Sequence, residues 1–137
     1  TKRCQPADEK LAQLQTIGDW SPDAAARARP WADLALRSLV STAELISGKG
    51  VRVVVLKPPV SWELRARLSK YRDLEGALGR LAEQLGSMPG VAYWDVTARD
   101  FSPPLDLVED FSDTHHMREA AACRLSELLG RRLKATQ

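Results

Sequence analysis

Apolar residues recur along the chain in helical and strand rhythms, and each rhythm predicts an element. Leu11, Leu14 and Ile17 fall every third residue, a spacing for a short helix bounded by Pro6 and Gly18. Ser21-Pro22-Asp23 reads as a helix start: a capping hydroxyl, a first-turn proline and an acid favoured by the dipole. Pro30 is expected to interrupt that helix. Beyond Trp31, the residues Ala32, Leu36, Leu39, Val40, Ala43 and Ile46 follow one stripe to a stop at Gly48-Lys49-Gly50, with Leu34 and Leu45 off it.

Val51-Arg52-Val53-Val54-Val55-Leu56 is a short β-branched run. It predicts a strand buried on both faces, as in a parallel sheet, ended by Lys57-Pro58-Pro59. Leu64, Leu68, Tyr71, Leu78, Leu81 and Leu85 step by three, four or seven and predict one long amphipathic helix, softened near Gly76 and Gly79 and closed by Met88-Pro89-Gly90. Val91 to Val96 is the second strand, so the pattern is a strand-helix-strand unit with a right-handed crossover. Residues 97–112 form a long connection containing Pro103-Pro104, a candidate functional loop. From His116 onward, Met117, Ala121, Leu125 and Leu128 keep helical spacing, and Arg131, Arg132 and Lys134 form a solvated basic end.

These elements place the chain in the α/β class. Two strands are too few for an independent parallel sheet, so either strands are hidden in the first 50 residues or the chain is part of a larger fold. Its 137 residues and 44% apolar content suit one domain. Twenty Lys and Arg against 18 Asp and Glu leave a net charge of +2, too small a surplus for a nucleic-acid partner. No apolar run is long enough for a membrane span, and Lys2, Arg3, Asp8, Glu9 and Lys10 occupy the place of a signal core. The chain is therefore expected to be soluble and to begin after any leader, with membrane attachment only through an anchor outside it. Cys4 and Cys123 stand far apart with no C-x-x-C, so their pairing is open and no zinc motif is present. With only two histidines, adjacent at His115 and His116, no metal or cofactor is expected.

The chemistry concentrates in Asp110-Phe111-Ser112-Asp113-Thr114-His115-His116-Met117. Asp113 and His116 are three apart, so within one turn their side chains meet. A carboxylate beside an imidazole fixes its tautomer and leaves Nε2 to take a proton from a hydroxyl nucleophile. The competing reading makes Asp113 a cap of the last helix and both histidines solvated loop residues. Lys57 and Trp62 flank the exit of the first strand, where open α/β sheets bind ligands, and are candidate substrate contacts, although such a Trp also packs under loops. Asp95 either binds a charge there or caps the next turn.

The order of these elements, with Asp113-Thr114-His115-His116 before the final helix, resembles the C-terminal half of an SGNH (GDSL-type) hydrolase. The run from Val53 to Ser61, the long helix, Tyr93-Trp94-Asp95-Val96 and the acidic-aromatic approach to Asp113 look like the proteins that act in D-alanylation of teichoic acid. The resemblance spans roughly residues 31 to 134. It implies a three-layer α/β/α, flavodoxin-like sheet of which this chain holds the C-terminal half. It also implies acyl-ester chemistry, with a serine attacking a carbonyl, His116 as general base and acid, and Asp113 orienting it. The substrate would be an acyl ester, of a cell-envelope glycan, teichoic acid or lipid, in an extracytoplasmic setting. The family's oxyanion hole uses a Gly and an Asn, yet the chain contains no Asn. Gly18-Asp19-Trp20-Ser21 echoes the family's Gly-Asp-Ser block but has an extra residue and no preceding strand, so Ser21 reads as a helix cap. The nucleophile is then expected from an N-terminal remainder of the fold or a partner chain. The alternatives are a non-catalytic α/β binding or interaction module, and a complete small domain with unrecognised strands.

Overall fold

The computed structural model describes residues 5–16 and 22–136. In chain order they form α1 (Ala7–Thr16), α2 (Pro22–Ser47), β1 (Val53–Lys57), α3 (Trp62–Leu68), α4 (Arg72–Gly86), β2 (Val91–Asp95), a 3-10 turn (Ala98–Asp100), α5 (Leu107–Asp110) and α6 (Glu119–Ala135). The protein is thus mixed α/β and mostly helical; among the described residues its sheet is the parallel pair β1-β2. None of these helices is long and apolar enough to cross a membrane. The described residues divide into two compact units, one of 22–57 and 68–95 and one of 5–16, 58–67 and 96–136.

The first unit holds the sheet. Val53 pairs with Val91 and Val55 with Tyr93, so these four side chains share one face, and that face packs on α2 and α4. Ala43, Leu81, Leu85 and Val91 form the buried centre, with Leu36, Val40 and Met88 around it. Leu36, Val40 and Ala43 belong to the predicted stripe, whereas Leu39 and Ile46 stay 37% exposed at its margin. Leu34 and Leu45, which fall off the stripe, are exposed. α2 runs unbroken through Pro30, contrary to the expected interruption. A proline removes one amide donor and need not end a helix whose neighbouring turns hold. Glycines in the left-handed region, Gly50 (φ 78°) and Gly90 (φ 73°), make the turns into the two strands.

Two sequence expectations are corrected here. β1 is not buried on both faces, since Val54 on the face turned from α2 and α4 is 37% exposed. The single long helix is two helices, α3 and α4, separated at Ser69-Lys70-Tyr71. Two helix starts compete in this stretch: Ser61 Oγ accepts the Leu64 amide at 3.2 Å, and Asp73 and Glu75 favour a second start in the first turn of α4. Ser69 and Lys70 between them are exposed, so no burial holds the joint helical. Gly76 and Gly79 lie inside α4, which runs unbroken through them.

The second unit is helical. α1 buries Lys10 and Leu14, a pair four apart, while Leu11 is 51% exposed; Ile17, the third residue of the expected stripe, lies outside the described residues. The connection 97–112 is not a free loop. Thr97 and Asp100 form a reciprocal cap around the 3-10 turn, and Asp106 caps α5 by accepting the amides of Val108 at 2.8 Å and Glu109 at 3.1 Å. Phe101, Leu105, Leu107 and Phe111 are buried, so this stretch contributes core. From α6, Arg124 donates to the Pro103 carbonyl and pairs with Asp110 at 3.6 Å, tying the connection to the helix. α6 starts at Glu119, three residues later than expected, and buries Ala121 and Leu125.

Candidate active site

The segment between α5 and α6 folds as a closed loop. Phe111 and Met117 form an antiparallel bridge, the Ser112 amide donates to the His116 carbonyl at 2.8 Å, and the Arg118 amide donates to the Asp110 carbonyl at 2.8 Å. Phe111 is fully buried and anchors the loop base. Thr114 at the tip is 3% exposed, and its carbonyl accepts the Ser61 amide at 3.4 Å.

Within this loop the Asp113 carboxylate makes three hydrogen-bonding contacts. Oδ1 accepts the amides of His115 at 2.9 Å and His116 at 2.7 Å, an Asx turn that reverses the chain. Oδ2 lies 2.6 Å from His116 Nδ1. Burial alone raises the Asp113 carboxyl, but the two backbone amides, the His116 imidazole and the nearby His115 together outweigh it and hold it at about 2, below the ordinary 3.8. An ionised carboxylate only accepts, so His116 Nδ1 carries the hydrogen, and in the neutral imidazole Nε2 is then the nitrogen with the lone pair. The His116 side chain is 46% exposed, and among the described residues no group bonds Nε2. Asp113 is not a cap of α6: the N-cap position there is Arg118.

The depressed Asp113 value has a measurable consequence. Its stabilisation is fully present above the unfolded value near 3.8 and is lost as pH falls through about 2. In acid unfolding followed by circular dichroism, Asp113→Asn should flatten the stability profile over that window. An unchanged acid limb would show that the carboxylate contacts add no stability.

His115, to which the sequence reading assigns no role, stacks on His116 with ring centroids 4.0 Å apart. Its Nδ1 lies 3.5 Å from Asp113 Oδ1 and 3.3 Å from Thr114 Oγ1. One donor atom each from Asp113, His115 and His116 falls within 4.8 Å of the others, so these residues could hold a metal ion. The expectation that two adjacent histidines build no metal site omits the carboxylate as a third ligand. The available signal was Asp-x-His-His, which sets both imidazoles just after one acid.

The other candidates have partners of their own. Lys57 faces Asp95 across the paired strand ends, with Nζ 3.4 Å from Oδ2, so Asp95 meets a lysine of its own sheet. Trp62 opens α3 and is 38% exposed, with the Arg99 guanidinium carbon 3.5 Å from its ring centroid. The basic end of α6 is not wholly solvated, since Arg132 pairs with Asp100 at 3.6 Å. Cys123 is exposed, whereas Cys4 and the Gly18-Asp19-Trp20-Ser21 stretch lie outside the described residues. A groove of about 730 Å³ runs between α2 and α4, lined among others by Leu36, Val40, Leu81, Asp33, Arg37 and Arg80. It belongs to the sheet unit, and the imidazoles to the other. No family model, no curated protein and no solved structure matches the chain.

Proposed function

We propose that this chain is the acid-base half of an SGNH-like serine esterase or acyltransferase, acting on an acyl ester of a cell-envelope molecule in an extracytoplasmic compartment. The observation that carries the reading is the 2.6 Å contact between Asp113 Oδ2 and His116 Nδ1, which leaves Nε2 outside that hydrogen bond. In the proposed reaction, a serine supplied by the remainder of the fold or a partner chain attacks the ester carbonyl while Nε2 takes its proton. The tetrahedral intermediate collapses as His116 returns that proton to the departing alcohol, leaving an acyl-serine. Water or an acceptor alcohol then repeats the sequence in reverse, and the serine regains its proton from His116. Asp113 stays ionised and stabilises the imidazolium through both transfers.

The sheet lends further support. A two-stranded parallel pair leaves one unpaired edge on each strand, an arrangement seldom stable in isolation, and completion to a three-layer α/β/α sheet removes that difficulty. Because the described residues of 5–16 and 22–50 contain helix and no strand, they do not supply the missing partners.

The test is active-site labelling of the natural full-length protein with a serine-reactive phosphonate. Labelling of the natural protein and its loss in His116→Ala are expected. Absence of labelling in both proteins would favour the second reading, a binding module, for which the exposed Trp31 (74%), Leu34 (51%) and Leu45 (64%) of α2 speak.

A further inference from the structure

We propose that Asp113, His115 and His116 form a binding site for a divalent transition-metal cation of the zinc class, occupied in exclusion of the Asp113–His116 hydrogen bond. This inference goes beyond the acyl-ester reading and does not depend on it.

The donor spacing is the first argument. Around a tetrahedral zinc with ligand bonds near 2.0–2.1 Å, neighbouring donors stand about 3.4 Å apart. His115 Nδ1 lies 3.5 Å from Oδ1 of the Asp113 carboxylate, and one donor atom from each of the three residues falls within 4.8 Å of the others. His116 Nδ1 and Asp113 Oδ2, at 2.6 Å, must open by less than about 1 Å when a cation replaces the proton between them. The contact that yields on the His115 side is the 3.3 Å approach of Thr114 Oγ1 to the same nitrogen.

The second argument is the chemistry of the donors. Two imidazoles and one carboxylate suit zinc, nickel or copper, whereas calcium and magnesium require sets built mainly from oxygen. Three protein ligands leave at least one coordination position for water or another small ligand, the pattern of open rather than purely structural zinc sites. Access and rigidity complete the case. The His115 and His116 side chains are 53% and 46% exposed, so a cation arrives without opening the fold. Asp113 is nevertheless fixed, because two amides hold Oδ1 and the bridge between Phe111 and Met117 closes the loop. Binding releases the Nδ1 proton of His116 to solvent, so the cation and the proton compete for one carboxylate and one nitrogen.

The experiment is a zinc titration of the ¹⁵N-labelled chain read at the imidazole nitrogens. The chain has two histidines, and both belong to the cluster, so every imidazole signal reports on the site. Both rings should shift together and saturate at one equivalent, with proton release seen in buffers of different ionisation enthalpy. His115→Ala should weaken binding by at least about tenfold, since outer contacts of a metal site alone are worth that much. Asp113→Asn should weaken it similarly, and Cys123→Ser should leave it unchanged. Backbone amide spectra confirm that each variant is folded. A shift confined to one imidazole, His115→Ala binding zinc like the natural chain, or loss of binding in Cys123→Ser would each overturn the proposal.

Discussion

Asp113→Asn should slow phosphonate labelling of the natural full-length protein by about 10⁴-fold while leaving the loop folded, the size of loss found when an orienting carboxylate becomes an amide in a serine triad. The amide oxygen inherits the position of Oδ1, because two backbone amides, at 2.9 and 2.7 Å, demand an acceptor there. Its NH₂ group is then turned toward His116 Nδ1. A donor facing that nitrogen drives the hydrogen onto Nε2, and a protonated Nε2 takes nothing from a serine. The isolated chain reports the same event without any reaction, as an exchange of tautomer in the ¹⁵N shifts of His116. A labelling loss below tenfold, or a His116 tautomer indifferent to the substitution, would remove Asp113 from the role assigned to it.

This pair was readable from spacing because an i, i+3 carboxylate and imidazole beside a helix start have few places to go. The way in which the pair is held was not. Expecting Asp113 either to cap α6 or to grip His116 treats the two roles as alternatives, and the carboxylate has two oxygens that perform separate tasks, one for the turn and one for the ring. His115 escaped notice for a related reason: local spacing shows that it follows Asp113, but only the Asx turn swings its ring onto His116.

Elements whose patterns rest on burial were readable, among them the inner part of the α2 stripe, both strands and the stops at Gly50 and Gly90. Errors arose where tertiary context overrides a local rule. Pro30 is tolerated in a long helix, and the joint between α3 and α4 hides under a periodicity that continues across it. The stretch 97–112, with two prolines and several acids, reads as a loop because its apolar residues follow no period. Phe101, Leu105, Leu107 and Phe111 are buried from short capped turns, which hydrophobic periodicity does not detect. Nothing in the sequence marks Lys10 as buried, because a lysine in a short polar helix ordinarily faces water.

Lys10→Met should destabilise the fold by about 3 kcal/mol, a cost set by orphaning carbonyls rather than by losing volume. The Lys10 side chain is fully buried, and its ammonium donates to the carbonyls of Leu107 at 3.2 Å, Val108 at 3.1 Å and Phe111 at 2.5 Å. All three of its hydrogens are thereby used, which is how a charge of this kind is tolerated inside a protein. Methionine has nearly the same length and shape but offers no donor, so the carbonyls of Leu107, Val108 and Phe111 lose their partner. Some of the loss is offset because no ammonium has to be stripped of water, which keeps the expected cost below the sum of three charged hydrogen bonds. In urea unfolding the midpoint should fall by on the order of 1–3 M, given slopes usual for a chain of this size. Glu9→Gln, an exposed change one position away, should shift stability by less than about 0.5 kcal/mol. The Phe111 carbonyl stands at the base of the loop that carries Asp113 and His116, so Lys10→Met should also broaden the His116 imidazole signal at urea concentrations well below the midpoint. If Lys10→Met unfolds no earlier than Glu9→Gln, the buried ammonium contributes nothing net, and the loop owes its order to the Phe111–Met117 bridge and the Asp113 turn alone.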